Sequence, residues 1–298
     1  MPDPNTPNHP SEPPINLLRG WPNPTLLPAN LLKNAASTAL SNPQIAQDAL
    51  EYGPDAGYEP VRAAIAKWLG EAYGSPSAPE RLCITGGASQ NLGCLLNVYT
   101  DPAYTRKIWI VAPAYFLAFR VFEDAGFGGK MRAVPEDGEG LDIAFLEREI
   151  GESEREAQAE GIRQPVYKPD RARAKVYKHV VYCVPTFANP SSRTMSLRRR
   201  RELVRLARRY DALLVADDVY DFLQWPADEG VELQGSKPAH LPRLVDIDRD
   251  IDGGAEREGA DGFGNAASNG SFSKIAGPGV RCGWVEGTNK FAFGVSQT

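Results

Sequence analysis

The sequence lacks paired cysteines, long apolar runs and an excess of basic charge. Its four cysteines, Cys83, Cys94, Cys183 and Cys282, show neither paired nor metal-ligand spacing, so we expect reduced thiols in an intracellular protein and no metal site. No stretch approaches the ~18 consecutive apolar residues of a membrane helix, and the polar, proline-rich start is unlike a secretory signal. A net charge of −5 and a pI near 5.4 argue against nucleic-acid or anionic-membrane partners. We therefore predict a cytoplasmic protein that binds neither nucleic acid nor membranes.

What the sequence does contain is enough apolar material for a sizeable core. Of its 298 residues, 42% are apolar and 24% charged, which suits one large domain or two modest ones. From Arg81 onward, short apolar runs alternate with helical periodicity, the pattern of a parallel α/β sheet. The predicted strands are 82–85, 108–112, 130–134, 180–185, 212–216, 267–271 and 281–286, and the predicted helices are 31–40, 58–69, 89–98, 115–125, 143–157 and 197–210.

Three stretches fall outside this alternation. Residues 1–14 are rich in proline and poor in apolar side chains, which predicts a disordered tail. Residues 152–173 and 227–265 interrupt the strand–helix rhythm, and we predict both to be loop insertions, the second of them mobile.

One lysine lies in a segment whose residue types could bind a phosphorylated aldehyde. The segment reads Ser-Phe-Ser-Lys-Ile-Ala-Gly-Pro-Gly-Val-Arg-Cys-Gly-Trp and contains Lys274. A lysine that forms an imine must lose its proton near neutral pH, which cationic neighbours and partial burial promote. Ser271, Ser273 and Arg281 offer hydroxyls and a guanidinium for phosphate oxygens. The alternative is a solvated basic loop without a ligand.

A second segment suits an anion. Thr85-Gly-Gly-Ala-Ser-Gln follows a predicted strand and opens a predicted helix. Glycines free the backbone to wrap an anion, and a helix N-terminus directs amide hydrogens at it. Ala88 and Ser89 are the predicted amide donors, and the Ser89 hydroxyl adds a further donor. A tight strand-to-helix turn without a ligand remains the alternative.

Polar and aromatic residues follow three further strands. Tyr115 could lie flat on a heteroaromatic ring, although it could also be a core aromatic. Asn189 could bond a phenolate oxygen, or serve only as a turn former. Asp217 ends a buried strand, where a carboxylate is costly unless it is paired or functional, and it could hold a protonated pyridine nitrogen within reach of Tyr220. The alternatives are a helix N-cap for Asp217 and a solvated carboxylate for Asp218.

Together, these motifs resemble the fold-type I, pyridoxal-phosphate-dependent aminotransferases of class I/II. The Gly-Trp-Pro-Asn-Pro opening at Gly20 most resembles their 2-aminoadipate and aromatic aminotransferase branch. The resemblance implies a three-layer α/β/α large domain with a mostly parallel seven-stranded sheet. It also implies pyridoxal 5'-phosphate as the cofactor, transamination between an amino acid and a 2-oxo acid, and a homodimer.

The resemblance also implies a role for each matching residue. Lys274 would form the imine and shuttle the proton, Asp217 would pair with the pyridine nitrogen, and Tyr115 would stack on the ring. Asn189 and Tyr220 would hold the ring oxygen. Tyr52 would reach the partner subunit's phosphate, and Gly20 would lie near the substrate carboxylate. The implied phosphate ligands are Ala88, Ser89, Ser271, Ser273 and Arg281.

The sequence departs from the family pattern at three points. Ser192 replaces the glycine of the usual Asn-Pro-Thr-Gly, which is tolerable unless that position needs a positive φ. Ala88 stands where a serine is common. Family members also continue well beyond a point like Thr298, and that part builds most of the small domain and carries the arginine that binds the substrate carboxylate.

The domain expectations follow from this last departure. We expect residues 15–50 to pack with a small domain, residues 51–288 to form the cofactor-binding large domain, and residues 289–298 to begin a truncated C-terminal domain. The alternative to a working transaminase is a non-catalytic fragment or pseudoenzyme that binds pyridoxal phosphate. Another reaction of the same cofactor, such as decarboxylation, also stays open.

Overall fold

The computed structural model describes residues 21–223 and 241–298, and it shows one sheet with helices on both faces. The strands are β1 Leu82–Thr85, β2 Lys107–Ala112, β3 Met131–Asp137, β4 Gly140–Leu141, β5 His179–Cys183, β6 Ala212–Asp217, β7 Ala266–Ser271 and β8 Gly283–Glu286. The helices are α1 Ala29–Ser41, α2 Pro43–Leu50, α3 Glu59–Tyr73, α4 Ala88–Tyr99, α5 Leu117–Phe122, α6 Ile143–Ala159, α7 Leu197–Tyr210, α8 Leu244–Asp250 and α9 Asn289–Ser296. Within these two ranges, no helix has the length and apolar content needed to cross a membrane.

The sheet has eight strands in the order β1-β8-β7-β6-β5-β2-β3-β4. Strands β7, β6, β5, β2 and β3 run parallel, β8 lies antiparallel between β1 and β7, and β4 is antiparallel to β3. The predicted mostly parallel α/β sheet is confirmed, but the predicted count of seven strands is one too low. The missed strand, β4, has only two residues and pairs with the end of β3, so it leaves no apolar run in the sequence.

The central strands form because their apolar runs can be buried on both faces of the sheet. All five residues of β5 and the first five of β6 are buried. One apolar cluster joins one face of the sheet to α4, α5 and α9, and a second joins the other face to α6, α7 and α8. This arrangement gives the three α/β/α layers.

Helix α7 shows how local sequence signals fix the bounds of an element. The Ser196 side chain accepts a hydrogen bond from the backbone N–H of Arg199 at the N-terminus, which satisfies one of the free amides there. The helix ends at Asp211, which takes a left-handed φ of 51°. Both signals are readable in the sequence, and the observed bounds match the predicted ones.

The two predicted loop insertions are partly helical. Helix α6 continues to Ala159 because Ile150, Ser153 and Ala157 keep its buried face at helical spacing. In the second stretch, α8 buries Leu244 and Ile247 against the sheet. The loop prediction is therefore wrong for residues 152–159 and 244–250, while residues 227–240 lie outside the described part of the chain.

Residues 289–298, predicted to begin a further domain, pack on the core of this one. In α9, the Phe291 ring stacks on Tyr99 of α4 with centroids 4.2 Å apart and planes 11° apart. The Tyr99 hydroxyl donates to the Phe291 carbonyl oxygen at 2.5 Å. Phe291 is fully buried, whereas Phe293 on the same helix is 55% exposed.

This packing predicts that α9 stabilises the domain through one of its two phenylalanines. Phe291→Ala should lower the free energy of unfolding by about 3–5 kcal/mol, because it leaves a cavity beside Tyr99. The control Phe293→Ala should change it by no more than about 0.5 kcal/mol, since that ring is largely in water. Urea unfolding followed by circular dichroism measures both. Equal midpoints for the two variants would mean that α9 is not part of the core.

Candidate functional site

Residues predicted to contact a cofactor converge at one edge of the sheet. Strands β2, β5, β6 and β7 are parallel, so their carboxyl ends meet at that edge, where α/β sheets bind ligands. Tyr115 lies after β2, Asn189 after β5, Asp217 ends β6, and Lys274 follows β7. Strand β1 points the same way as β7 and brings the glycine loop before α4 to this edge.

Asp217 is a buried carboxylate with one unsatisfied oxygen. The Tyr182 hydroxyl donates to Oδ2 at 2.7 Å, whereas Oδ1 is buried and has no hydrogen-bond partner among the described residues. Burial raises the pKa of Asp217 from 3.8 to about 6, although the bond from Tyr182, the nearby backbone N–H of Val219 and the charge of Lys274 work in the opposite direction. A protonated ring nitrogen would satisfy Oδ1 and favour the ionised form. Asp217 therefore fits the pyridine-nitrogen role that the resemblance implies.

Four other predicted side chains lie at the same edge of the sheet as this carboxylate. Asn189 donates from Nδ2 to the Tyr220 hydroxyl at 3.4 Å, so the two polar groups meant for a ring oxygen are neighbours. Lys274 Nζ lies 5.9 Å from the centroid of the Tyr220 ring. Tyr115 lies after β2 at this edge, and its pKa is raised by burial and by the charge of Asp217. The structure thus brings the predicted ring contacts and the predicted imine lysine together.

A cradle for a phosphate lies beside them. Arg281 donates to the Gly86 carbonyl oxygen at 2.9 Å and to Ser273 Oγ at 3.4 Å. The Ser271 hydroxyl donates to Ser273 Oγ at 3.0 Å. Gly87 has a φ of +106°, and a Cβ on it would lie 3.0 Å from Arg281 Nη2 and 3.4 Å from Ser271 Oγ. Only glycine leaves this space open, so the group of hydroxyls, guanidinium and backbone fits a phosphate.

Of the remaining predicted site residues, two lie beside the cradle, one is exposed, and one is outside the described part of the chain. Ala88 and Ser89 open α4, so their backbone N–H groups have no partner within the helix and face the cradle end of it. The Tyr52 side chain is fully exposed, so the fold of a single chain does not bring it into the site. Gly20 lies outside the described residues.

Two buried residues that the sequence analysis missed support the site. Tyr182 holds Asp217, as described above, and Asn91 of α4 is fully buried. Asn91 donates from Nδ2 to Asn269 Oδ1 at 2.7 Å and to the carbonyl oxygens of Gly270 and Trp284. These bonds fix the start of α4 against β7 and β8. A signal for Asn91 exists in the sequence, because a polar residue stands on the apolar stripe of a predicted helix.

The backbone of Ser192 and the burial of Asp218 bear on two expectations from the sequence. Ser192 has a φ of +59°, so this serine does occupy a conformation that favours glycine. Phe187, in the same loop, also has a positive φ, of 52°. Asp218 is 6% exposed and accepts a hydrogen bond from Ser268 at 2.5 Å, so the reading of Asp218 as a solvated carboxylate is wrong.

Comparison with known proteins agrees with this geometry. The model of the family described as aminotransferase class I and II matches residues 23–293. The chain is 36% identical over 294 residues to an uncharacterised protein of Saccharomyces cerevisiae, covering 92% of this chain and 64% of that protein. It is 28% identical to an aromatic-amino-acid aminotransferase of Thermococcus litoralis, covering 91% of this chain and 54% of that protein. It is also 28% identical to the 2-aminoadipate transaminase of Thermus thermophilus, covering 90% and 53%.

A solved structure shows the same fold. The crystal structure of Pyrococcus horikoshii kynurenine aminotransferase in complex with PMP matches with a TM-score of 0.65 at 27% identity, covering 93% of this chain and 61% of that chain. The chain spans between 53% and 64% of the lengths of the three curated relatives. The predicted resemblance to the 2-aminoadipate and aromatic branch is confirmed.

The raised pKa of Asp217 predicts the direction of a pH effect on the cofactor-free protein. Between its ordinary pKa of 3.8 and about 6, the folded state binds more protons than the unfolded state. The contribution of Asp217 to stability is therefore lost as the pH rises through about 6. Asp217→Asn should stabilise the cofactor-free protein at pH 7–8 by about 2–3 kcal/mol, and this gain should vanish below pH ~4.

Urea unfolding of cofactor-free protein across this pH range measures the effect. Asp250→Asn is the matched control, because that carboxylate is 69% exposed and its removal should change stability by at most about 0.5 kcal/mol. A loss of stability in Asp217→Asn at pH 7.5 would contradict the prediction.

Proposed function

Because the chain belongs to the class I and II aminotransferases, we propose that it binds pyridoxal 5'-phosphate through Lys274 and transfers an amino group between an amino acid and a 2-oxo acid. The observation that carries this proposal is the buried, unpaired Oδ1 of Asp217 at the edge where Lys274, Tyr220 and Asn189 meet. The Oδ1 atoms of Asp218 and Asp221 are also buried without a hydrogen-bond partner among the described residues, so what distinguishes Asp217 is its place at the strand end beside Lys274, where a cationic ring nitrogen would complete it.

Each residue has a distinct role in the proposed reaction. When bound, pyridoxal phosphate supplies an electron sink for the negative charge left when the α-proton of an amino acid is removed. Asp217 keeps the ring nitrogen protonated, which preserves that sink. Lys274 is the residue that would hold the cofactor, and its Nζ, once released by the incoming amino group of the substrate, would take the α-proton and return it.

The other side chains orient the ring and its phosphate. Tyr115 packs on the ring face, and Asn189 with Tyr220 donates to the ring oxygen. The phosphate is bound by Arg281, the hydroxyls of Ser271 and Ser273, and the first amides of α4. The relatives named for aromatic amino acids and 2-aminoadipate make these the first donors to test.

The proposal includes a homodimer in the cytoplasm. Helices α1 and α2 have no buried residue, and they expose Leu31, Leu40 and Leu50, a pattern typical of helices that are covered by a partner. The fully exposed Tyr52 follows α2 and would reach the phosphate of the other subunit. All four cysteines are free, which suits a reducing compartment, and cell fractionation would test that location.

Cofactor and activity are tested in one titration. Adding pyridoxal phosphate to purified protein should produce the visible absorbance band of the lysine-bound cofactor, and an amino acid donor should remove it. Lys274→Ala should abolish the band because no other described lysine lies at this site. The control Lys290→Ala should keep it, since Lys290 donates to the Asp261 carbonyl oxygen elsewhere.

The outcomes separate the candidate functions. A band that shifts with an amino acid and yields the 2-oxo acid supports transamination. A band that no amino acid moves would instead indicate a non-catalytic cofactor-binding protein, and release of CO₂ would indicate decarboxylation. Absence of the band in the wild type would overturn the proposal.

The shared site of the homodimer is tested by mixing two defective variants. We expect Tyr52→Phe and Lys274→Ala each to bind the cofactor poorly, for different reasons. In a mixed dimer, one site combines an intact Lys274 with an intact Tyr52, so mixing should restore tight binding at that site. Sedimentation of each variant alone is the control for dimer formation. A monomeric wild type, or no gain in cofactor binding when the variants are mixed, would contradict the homodimer proposal.

A further inference from the structure

Arg200 is a fully buried arginine that the mechanism above does not use. It lies on α7 at the spacing of Leu203, Val204 and Ala207, so it takes a place on the apolar stripe of that helix. A guanidinium has five N–H donors and keeps its charge, and burying it is tolerated only where the surroundings satisfy it. Its partners therefore indicate what it is for.

Three of its four hydrogen bonds go to the loop that carries Asn189. Nε donates to the Met195 carbonyl oxygen at 3.0 Å, and Nη2 donates to the Pro185 carbonyl oxygen at 2.9 Å and to Thr186 Oγ1 at 2.8 Å. These partners lie at the two ends of the loop, which the Met195 N–H also joins by donating to the Pro185 carbonyl oxygen at 2.7 Å. Arg200 thus closes the base of the loop.

The same loop holds a strained backbone. Phe187 and Ser192 lie on either side of Asn189, and both have a positive φ although neither is glycine. Such backbone conformations are strained in residues other than glycine and persist only where neighbouring structure holds them. The bonds from Arg200 supply that restraint, because they fix both ends between which the strained residues lie.

Arg200 also acts electrostatically on the segment that carries Asp217 and Tyr220, and a hydrogen bond from Thr186 to Asp221 links that segment to the Asn189 loop. Asp218 and Asp221 flank Tyr220 and are 6% and 2% exposed. Burial raises the pKa of each of these two carboxyls, and the charge of Arg200 lowers both. The Tyr73 hydroxyl donates to Asp221 at 2.7 Å, which anchors the segment from below.

We propose that Arg200 is a positioning residue that locks the Asn189 loop against the Asp217–Tyr220 segment and so fixes the groups that hold the cofactor ring. The inference rests on the proposed function, because it concerns the same ring. Arg200 would act on the ring-holding groups indirectly: it donates hydrogen bonds to Thr186, Pro185 and Met195, and its charge favours the ionised forms of Asp218 and Asp221.

The test compares Arg200→Lys and Arg200→Met with a matched variant on the same helix. The control is Arg208→Lys: its side chain is 8% exposed, and it bonds Asp248 of α8, away from the Asn189 loop. The measurements are the dissociation constant for pyridoxal phosphate, the visible circular dichroism of the bound cofactor, and unfolding of the cofactor-free protein. The circular dichroism reports how the ring is held, which a general loss of stability does not change.

Both Arg200 variants should bind the cofactor about 10–100-fold more weakly, the scale of one or two lost charge-assisted hydrogen bonds, and should alter its circular dichroism. Arg208→Lys should lower the stability of the cofactor-free protein and leave both cofactor readouts as in the wild type. Thr186→Val removes a single partner of Arg200 and should move the same two readouts by a smaller amount.

Folded Arg200 variants with wild-type affinity and circular dichroism would overturn the inference. If they do not fold, Thr186→Val decides, and unchanged cofactor readouts in that variant would overturn it equally. A wild type that binds no pyridoxal phosphate would count against the proposed function, whereas a wild type that binds it beside unaffected variants counts against Arg200 alone.

Discussion

The placement of a carboxylate at the end of a buried strand is the constraint on which the site depends. Asp217 cannot lie in this position as an isolated charge, because burial favours its neutral form and raises its pKa to about 6. Tyr182 satisfies one oxygen and Lys274 supplies a nearby positive charge, yet Oδ1 stays unpaired within the described chain. The fold therefore holds an acceptor that only a further donor completes. This is a loss of stability accepted at a site of function.

Arg243 and Arg200 are both buried, and they are satisfied by different means. Arg243 is paired with both Asp246 and Glu286 at 2.7–2.9 Å, so its burial is offset by carboxylates. Arg200 is satisfied mainly by carbonyl oxygens instead. Bonds to backbone carbonyls fix the course of a loop more directly than an ion pair between side chains does. Because Arg200 bonds backbone carbonyl oxygens, we assign it to positioning the loop. Because Arg243 bonds carboxylates, we assign it to stabilising the core.

The sequence predicted the site residues that directly follow strands. It did not predict the supporting residues whose role depends on partners far away in the chain. Lys274, Asp217, Asn189 and Tyr115 stand where short apolar runs end, and in a parallel sheet such positions share one edge. The role of Tyr182 depends on a partner 35 residues away, and no local pattern reveals it; Asn91 stands out as a polar residue on the apolar stripe of a predicted helix, but its partner 178 residues away cannot be predicted locally. The same reason accounts for α8, whose burial depends on contacts with α7 and β7. Helix α7, with a cap at each end, needed no distant partner to be predicted.

Backbone strain gives independent support for where the site lies. In residues 21–223 and 241–298, five non-glycine residues have a positive φ, and two of them, Asp211 and Asp252, are of a type that tolerates it through local hydrogen bonds. The other three are Phe187, Ser192 and Arg281, for which the left-handed region is costlier. Two of them flank Asn189, which is proposed to hold the cofactor ring, and the third belongs to the proposed phosphate cradle. Strain of this kind is unfavourable for the protein alone, and it places the donor groups before any ligand arrives. The ring site and the phosphate site are therefore both organised in advance by the fold, each at the expense of local stability.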